Sequence, residues 1–125
     1  MKPLYDVSDA EDDVLEMLWT FPEGIKQSAL LECMNQAGKD WKRQTLNTLI
    51  TRLMEKGLVE RENRHVWAAM TKEEYARAQI SKVIEEMYEG KLSKMVLAFT
   101  RNQGITEEDA ADLQQLLETY KNGVK

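Results

Sequence analysis

Apolar positions recur along this chain at helical spacing in several separate blocks. The first block contains Val14, Leu15, Leu18 and Trp19. Just before it, Ser8 and Glu11 have the spacing of a capping box, in which Ser8 caps the helix and Glu11 bonds back to it. Pro22 and Gly24 predict that this helix ends by about residue 21.

Two further amphipathic helices are predicted next. The segment KQSALLECMNQAG predicts a short helix that stops at Gly38 and turns Ala29 or Leu30, Leu31 or Cys33, and Met34 inward. The segment DWKRQTLNTLITRLMEKG predicts a third helix, with Gly57 at the position of a left-handed C-terminal cap. The apolar face of this third helix consists of Leu46, Leu49, Ile50, Leu53 and Met54.

Two short β-prone runs follow the third helix, Leu58 to Arg61 and His65 to Ala69. A tight turn near Glu62 and Asn63 would join them into a hairpin, although the Asn-Gly or Asp-Gly pair that most favours such a turn is absent. Three helices followed by a two-stranded β-ribbon are the winged helix-turn-helix arrangement. We therefore predict a winged helix-turn-helix domain in residues 1–70, with Trp19 and Trp67 packing the ribbon against the first helix.

From Thr71 onward the pattern is purely helical, with a capping box at TKEE and a helix cap at TEED. Helices of this size cannot bury all their apolar faces on one another, which favours a symmetric homodimer. We predict a mainly α protein with a small β-wing, in which residues 71–125 form a helical dimerisation domain. The predicted interface residues are Ile80, Val83, Ile84, Met87, Met95, Val96, Phe99, Leu113 and Leu117.

Charge is unevenly distributed along the chain. The net charge is −5, from 17 basic and 22 acidic residues, which by itself argues against a nucleic-acid partner. Residues 39–64, however, contain seven basic residues against four acidic ones, a local charge of +3 that leaves −8 for the remainder. A positive region in an acidic chain indicates an anionic partner, the alternative being an ordinary solvated surface.

Lys42 and Arg43 stand at the start of the third helix, where the partial positive charge of a helix N-terminus disfavours cations. In a helix-turn-helix protein this end lies nearest the DNA, so phosphates can supply the missing anions. The polar face behind it offers donors for base edges and methyl groups for thymine. The predicted DNA-binding residues are Lys42, Arg43, Gln44, Thr45, Asn47, Thr48, Arg52 and Lys56, with Arg61 and Arg64 in the wing.

Catalysis, cofactors and metals are not predicted. His65 and Cys33 are the single residues of their types, and no glycine-rich phosphate loop is present. A lone cysteine forms no intramolecular disulfide, the N-terminus lacks the apolar run of a signal peptide, and MVLAF is too short to span a bilayer, so we expect a cytoplasmic protein. The rival hypothesis is a winged-helix module that docks a protein through its acidic helical lobe and does not read DNA.

Three segments of the chain resemble the penicillinase-repressor family (BlaI/MecI), whose relatives include copper-responsive CopY repressors. They are SDAEDDVLEMLW, KDWKRQTLNTLITRLMEKGLVER and MVLAFTRNQGITEEDAADLQQLL. The resemblance implies a dimeric transcriptional repressor with a winged helix and a three-helix dimerisation lobe, bound to a pseudo-palindromic double-stranded DNA operator. The family's DNA contacts map onto the wing and onto Lys42, Arg43, Gln44, Thr45, Thr48 and Arg52.

The chain departs from the family pattern at three places. Lys42 and Arg43 replace the Ser-Pro pair that commonly opens the recognition helix, and the wing is shorter by a residue or two. Members that control β-lactam resistance are cleaved by a membrane sensor-protease at an Asn-Phe bond, which corresponds here to Ala98–Phe99. The resemblance thus implies that such a protease relieves repression. The Cys-x-Cys pairs of the copper branch are absent.

Overall fold

A capped helix begins the part of the chain that the computed structural model describes, residues 6–123. Helix α1 spans Asp9–Leu18. The hydroxyl oxygen of Ser8 accepts the Glu11 N–H at 3.1 Å, and the Glu11 carboxylate accepts the Ser8 N–H at 2.8 Å, which confirms the predicted capping box. The helix ends by residue 21, as predicted, because the amides of Thr20 and Phe21 bond three residues back instead of four.

The helix-turn-helix consists of α2 (Gln27–Gln36) and α3 (Arg43–Glu55). Leu30 and Met34 are the buried residues of α2, which selects Leu30 over Ala29 as the inward position. Both alternatives for the next inward position, Leu31 and Cys33, are half-buried.

Helix α3 ends in a Schellman motif that leads directly into the sheet. The Leu58 N–H bonds to the Leu53 carbonyl at 3.0 Å, and the Gly57 N–H bonds to the Met54 carbonyl at 3.0 Å. Gly57 has a φ of +77°, a conformation that residues with a Cβ rarely adopt, so its predicted capping position is confirmed. The cap satisfies the last carbonyls of the helix and starts the next strand at a fixed place.

A three-stranded antiparallel sheet follows α3, in the order β1-β3-β2. Its strands are β1 (Ile25–Lys26), β2 (Val59–Glu62) and β3 (His65–Ala68). The prediction of a two-stranded ribbon was incomplete because β1 pairs with the other edge of β3, Ile25 opposite Val66 and Lys26 opposite His65. Two residues are too few to give an alternating pattern, so the sequence held no signal for this strand.

The wing, which we define as the β2–β3 hairpin, turns through Asn63 and Arg64. Their φ angles are +52° and +66°, the doubly positive pattern of a type I′ turn. The Arg64 carbonyl accepts the Gln27 N–H at 2.8 Å and so satisfies one of the free amides at the start of α2. The turn of the wing is therefore fixed to the N-terminus of α2.

Gly24 allows β1 to approach the wing closely. It has a φ of +87°, and a Cβ at this position would lie 2.5 Å from His65 Nε2 and 2.8 Å from the Val66 carbonyl oxygen. His65 Nε2 lies 2.9 Å from the Glu23 carbonyl oxygen. A side chain at Gly24 would therefore force β1 away from β3.

The hydrophobic core lies in the first of two compact units, Met1–Val83 and Ile84–Lys125. Its buried residues are Val14, Leu15, Leu18, Leu30, Met34, Leu46, Leu49, Ile50, Leu53, Leu58, Val59, Val66 and Tyr75. The prediction that Met54 faces inward was wrong, because this side chain lies at the edge of the α3 stripe in the last turn and is 36% exposed. The other four predicted positions of that stripe are buried.

The two predicted packing tryptophans have different environments. Trp19 packs against Tyr75 with ring centroids 5.5 Å apart and donates from Nε1 to the Met70 carbonyl at 2.9 Å. Trp67 donates from Nε1 to the Glu60 carboxylate on the neighbouring strand at 2.8 Å. Its expected packing against α1 was wrong, because alternation along β3 directs Val66 into the core and Trp67 to the opposite face.

The C-terminal helices are α4 (Lys72–Met87), α5 (Leu92–Gln103) and α6 (Glu107–Gly123). Reciprocal bonds between Thr71 and Glu74, at 3.0 and 2.9 Å, confirm the capping box that precedes α4. Neither α5 nor α6 contains a buried residue among those described. The prediction of a mainly α protein with a winged helix and a helical C-terminal region is confirmed.

Candidate nucleic-acid interface

Helix α3 separates a buried apolar face from an exposed polar one. The exposed residues in and just before it include Lys42, Arg43, Gln44, Thr45, Asn47, Thr48 and Arg52. Lys42 is the N-cap residue, but its side chain makes no capping hydrogen bond, and the first turn of the helix contains no acidic residue. The positive end of the helix dipole and two cationic side chains thus coincide on the surface without an anion from the helix itself.

The hydroxyl group of Thr48 is already engaged within the helix. Thr48 Oγ1 donates to the Gln44 carbonyl at 3.0 Å. Its single proton is therefore used, and the side chain can offer only acceptor lone pairs and a methyl group to a ligand. This combination suits a base-edge amino group or the methyl group of thymine.

Arg61 connects the wing to the two helices of the helix-turn-helix. Its Nη1 donates to Asn47 Oδ1 at 2.8 Å and to Gln27 Oε1 at 3.1 Å. Gln27 Nε2 also approaches Asn47 Oδ1, at 3.4 Å. The structure thus gathers two predicted site residues, Arg61 and Asn47, around a residue that the sequence reasoning missed.

Sequence reasoning missed Gln27 and Lys26 because β1 escaped prediction. Lys26 is exposed and pairs with His65, next to Arg64, the exposed cation in the turn of the wing. Recognition of the β1–β3 pairing would have placed both residues beside the wing. The start of α2 therefore adds a cation and a carboxamide to the candidate surface.

Two cations of the positive region are instead paired with acidic residues of α1. Lys39 forms an ion pair with Asp13 and lies over the ring of Trp41. Lys56 Nζ donates to both carboxylate oxygens of Glu11, at 2.9 and 2.8 Å, and to the Asp6 carbonyl at 3.0 Å. The structure thus gives Lys56 a structural role, and a phosphate contact from it would require breaking these bonds.

Glu11 is the one charged residue that the structure describes as buried. Burial acts to raise the pKa of its carboxyl group, but hydrogen bonds from Lys56 and from the backbone and hydroxyl of Ser8 outweigh burial, and the pKa is lowered from 4.5. Glu11 therefore remains ionised and holds Lys56 at the end of α3. This carboxylate joins the start of α1 to the end of the helix that carries the candidate interface.

The sequence matches a known protein family over almost its full length. A family model described as penicillinase repressor matches residues 7–119. The chain belongs to the penicillinase repressor family. The family predicted from the sequence is therefore confirmed.

Relatives within the penicillinase repressor family align with nearly the whole chain. The methicillin resistance regulatory protein MecI of Staphylococcus aureus (strain N315) is 27% identical over 117 residues, which cover 90% of this chain and 94% of the relative. The penicillinase repressor of Bacillus licheniformis is 29% identical over 129 residues, covering 100% of this chain and 99% of the relative. The penicillinase repressor of Staphylococcus aureus is 27% identical, covering 90% of each chain.

Residues 6–123 contain neither a candidate membrane span nor a candidate metal site. No helix there has both the length and the apolar character needed to cross a bilayer. Within the same residues, no group of three or more His, Cys, Asp and Glu side chains is arranged to hold a metal ion.

Replacement of Lys56 and replacement of Lys42 should affect the free energy of unfolding of this penicillinase repressor family member differently. Lys56→Ala is expected to lower the free energy of unfolding by about 2 kcal/mol, because it leaves the buried Glu11 carboxylate without its cationic partner. Lys42→Ala, the control, removes an exposed charge that a helix N-terminus disfavours, so stability should be unchanged or rise by a few tenths of a kcal/mol. Urea unfolding of both variants at neutral pH measures the difference, and equal stability would contradict the assigned role of Lys56.

The destabilisation caused by Lys56→Ala should depend on pH. Because folding lowers the pKa of Glu11, its contribution to stability is present above its ordinary value of 4.5 and is lost as the pH falls through the lower folded value. The stability gap between the parent protein and Lys56→Ala should therefore narrow below about pH 4.5. A gap that stays constant down to low pH would contradict the ion pair.

Proposed function

We propose that this protein is a sequence-specific, DNA-binding transcriptional repressor that acts as a homodimer on a pseudo-palindromic operator. The observation that carries the proposal is the exposed face of α3, which begins with Lys42 and Arg43 and has no acidic residue in its first turn. A surface of this kind suits the phosphates and base edges of a major groove. The names of the family relatives, penicillinase repressor and methicillin resistance regulatory protein, support the same function.

Affinity would come from cations that the fold leaves exposed. Lys42 and Arg43 at the start of α3 and Arg64 in the turn of the wing are exposed, whereas Lys56 is held by Glu11. Three phosphate contacts in each protomer amount to about six in a dimer, which predicts a slope near −5 for log K against log salt. This electrostatic contribution would be the same on any DNA sequence.

Sequence discrimination would come from the polar side chains behind the cations. Thr45 and Arg52 are exposed on the same helix as Thr48, whose hydroxyl proton is already used. Arg52 suits a guanine edge, while Thr48 offers acceptor lone pairs and a methyl group. Gln44 is exposed beside them and adds both a donor and an acceptor.

A second copy of the chain would cover the apolar surface of the C-terminal helices. Phe99 is 60% exposed, Leu117 65% and Met87 59%. Ile80, Val83, Ile84, Met95, Val96 and Leu113 complete the proposed interface. A two-fold dimer places its recognition helices on half-sites about one helical turn apart, so the operator would be an inverted repeat.

We assign DNA binding to residues 1–70 and dimerisation to residues 71–125, with the cytoplasm as the site of action. The proposed chemistry is binding alone, without a catalytic residue, cofactor or metal. A specific observation, the net charge of −5, favours a different function, in which the helical lobe docks a protein and the winged helix does not read DNA.

Selection of duplexes from a random DNA pool should distinguish these two functions. We expect the purified protein at about 0.15 M salt to enrich an inverted repeat, because two identical recognition helices read two half-sites. Thr48→Ala should cost about 1 kcal/mol and relax specificity, whereas Lys42→Ala should weaken binding to all sequences alike.

Two results would contradict the DNA-binding proposal. The first is a folded, dimeric protein that enriches no sequence, which would favour the protein-docking module. The second is binding with no salt dependence, which would remove the proposed phosphate contacts. Equal loss on operator and random DNA for both variants would contradict the separate roles of Lys42 and Thr48.

Sedimentation should test the proposed dimer. A chain of 14.5 kDa is expected to sediment at twice that mass, and Phe99→Asp should convert it to monomers with weaker operator binding, because the interface would then bury an unpaired charge. Leu97→Asp is the matched control, since Leu97 is 52% exposed on α5 but is not one of the predicted interface residues. An unchanged mass for Phe99→Asp, or the same dissociation for both variants, would rule out this interface.

We further propose that a membrane sensor-protease relieves repression by cleaving Ala98–Phe99. The bond lies within α5, and its cleavage would separate residues 99–125 from the rest of the proposed dimerisation domain. Incubation with the cognate sensor should yield a fragment that ends at Ala98, and Phe99→Ala should reduce its formation by removing the exposed aromatic ring. Absence of this fragment with an active sensor would refute the mechanism.

A further inference from the structure

We propose that Arg61 is a positioning residue that locks the Asn47 carboxamide, so that Asn47 offers DNA only N–H donors and selects guanine over adenine. The inference rests on the proposed function, because it concerns how the α3 surface reads a base pair. It replaces the predicted role of Arg61 as a direct DNA contact in the wing. It also gives Gln27, outside α3 and the wing, a part in specificity.

The identity of the two atoms in contact fixes the orientation of the carboxamide. A guanidinium group contains donors and no acceptor, so the Asn47 atom that faces Arg61 must be its oxygen. The separation of Arg61 Nη1 and Asn47 Oδ1 is 2.8 Å, the length of a charge-assisted hydrogen bond. Rotation of the carboxamide would place its NH₂ group against the cation and lose this bond.

Gln27 occupies the remaining capacity of the same oxygen. Its Nε2 lies 3.4 Å from Asn47 Oδ1, and its Oε1 accepts from Arg61 Nη1 at 3.1 Å. A carboxamide oxygen has two lone pairs, and here two donors face it. Asn47 can therefore offer its NH₂ group to a base, whereas its oxygen is engaged within the protein.

Main-chain bonds hold each member of the cluster in place. Gln27 is the first residue of α2, and its N–H is bound to the Arg64 carbonyl at 2.8 Å. Arg61 lies in β2 opposite Val66 of β3, and its side chain is half-buried. Asn47 is exposed on the second turn of α3. The cluster thus joins both helices of the helix-turn-helix to the wing and holds an oriented donor on the surface.

The orientation decides which base the side chain favours. A freely rotating asparagine reads adenine with two bonds, donating to N7 and accepting from the N6 amino group. When the oxygen is engaged, the second bond is unavailable and the adenine amino group has no acceptor. Guanine presents N7 and O6, which are both acceptors and both suit the NH₂ group. We therefore expect a preference for guanine at the base pair that faces Asn47.

Binding of variants to a systematically substituted operator tests the inference. The operator is the inverted repeat selected by the parent protein, and each base pair of the half-site is replaced in turn at several salt concentrations. Arg61→Met retains the apolar part of the side chain but removes the donors. We expect the preference for guanine over adenine at one base pair to fall by about three- to tenfold, with no change in the salt slope.

Two other variants separate positioning from phosphate binding. Asn47→Ala removes the side chain proposed to contact the base and leaves the wing unaltered, so it should abolish the preference for guanine. Adding Arg61→Met to Asn47→Ala should not change the base preference any further. Arg64→Ala removes an exposed cation from the turn of the wing. It should weaken binding to every sequence and reduce the size of the salt slope by about two for the dimer.

Three outcomes would overturn the inference. If Arg61→Met weakens all sequences alike and reduces the salt slope, Arg61 is a phosphate contact. If Asn47→Ala leaves every base preference unchanged, Asn47 reads no base. If the parent protein selects no sequence, the proposed function itself is wrong. This result is distinguishable from a failure of the inference, because it is obtained with the parent protein alone.

Discussion

Burial of one stripe of α3 is the constraint on which the rest of the protein depends. Leu46, Leu49, Ile50 and Leu53 are each at most 6% exposed, and they pack in the same core as α1, α2 and the sheet. Once this stripe is buried, the helix cannot rotate without exposing it. The opposite face is thereby fixed toward solvent, with Lys42 and Arg43 at its positive end. Under the proposed function, this packing aims the helix at DNA.

Folding also redistributes the charges within the positive region. Asp13 and Glu11 of α1 pair with Lys39 and Lys56, so these two cations stabilise contacts between helices. Arg61 is drawn into the cluster with Gln27 and Asn47. The exposed cations that remain are Lys42 and Arg43 at the start of α3, Arg52 in its last turn and Arg64 in the turn of the wing. They concentrate positive potential on the side proposed to meet DNA.

The C-terminal helices differ from the winged helix in how their apolar residues are buried. Their capping residues are in place, but no described residue of α5 or α6 is buried within one chain. Helices of this length gain most of their stability from packing an apolar face rather than from intrinsic propensity. A second copy of the chain would supply that packing, which would make dimerisation part of folding as well as of operator recognition.

The sequence by itself determined the features that depend on neighbours three or four residues apart. The Ser8–Glu11 and Thr71–Glu74 capping boxes, the Gly57 cap and the buried stripe of α3 all depend on local bonds or helical periodicity, and all were predicted. The family also followed from the sequence, because the order of these elements is itself a pattern.

Only the tertiary structure decided which distant side chains meet. Strand β1 became visible through its pairing with β3, since two residues give no period of their own. Lys56 meets Glu11 across 45 positions of the chain, and Arg61 meets Gln27 across 34. A hydrogen bond between distant residues leaves no periodic trace in the sequence, because it depends on how whole elements pack. The packing of these elements decided the structural role of Lys56 and the orientation of Asn47.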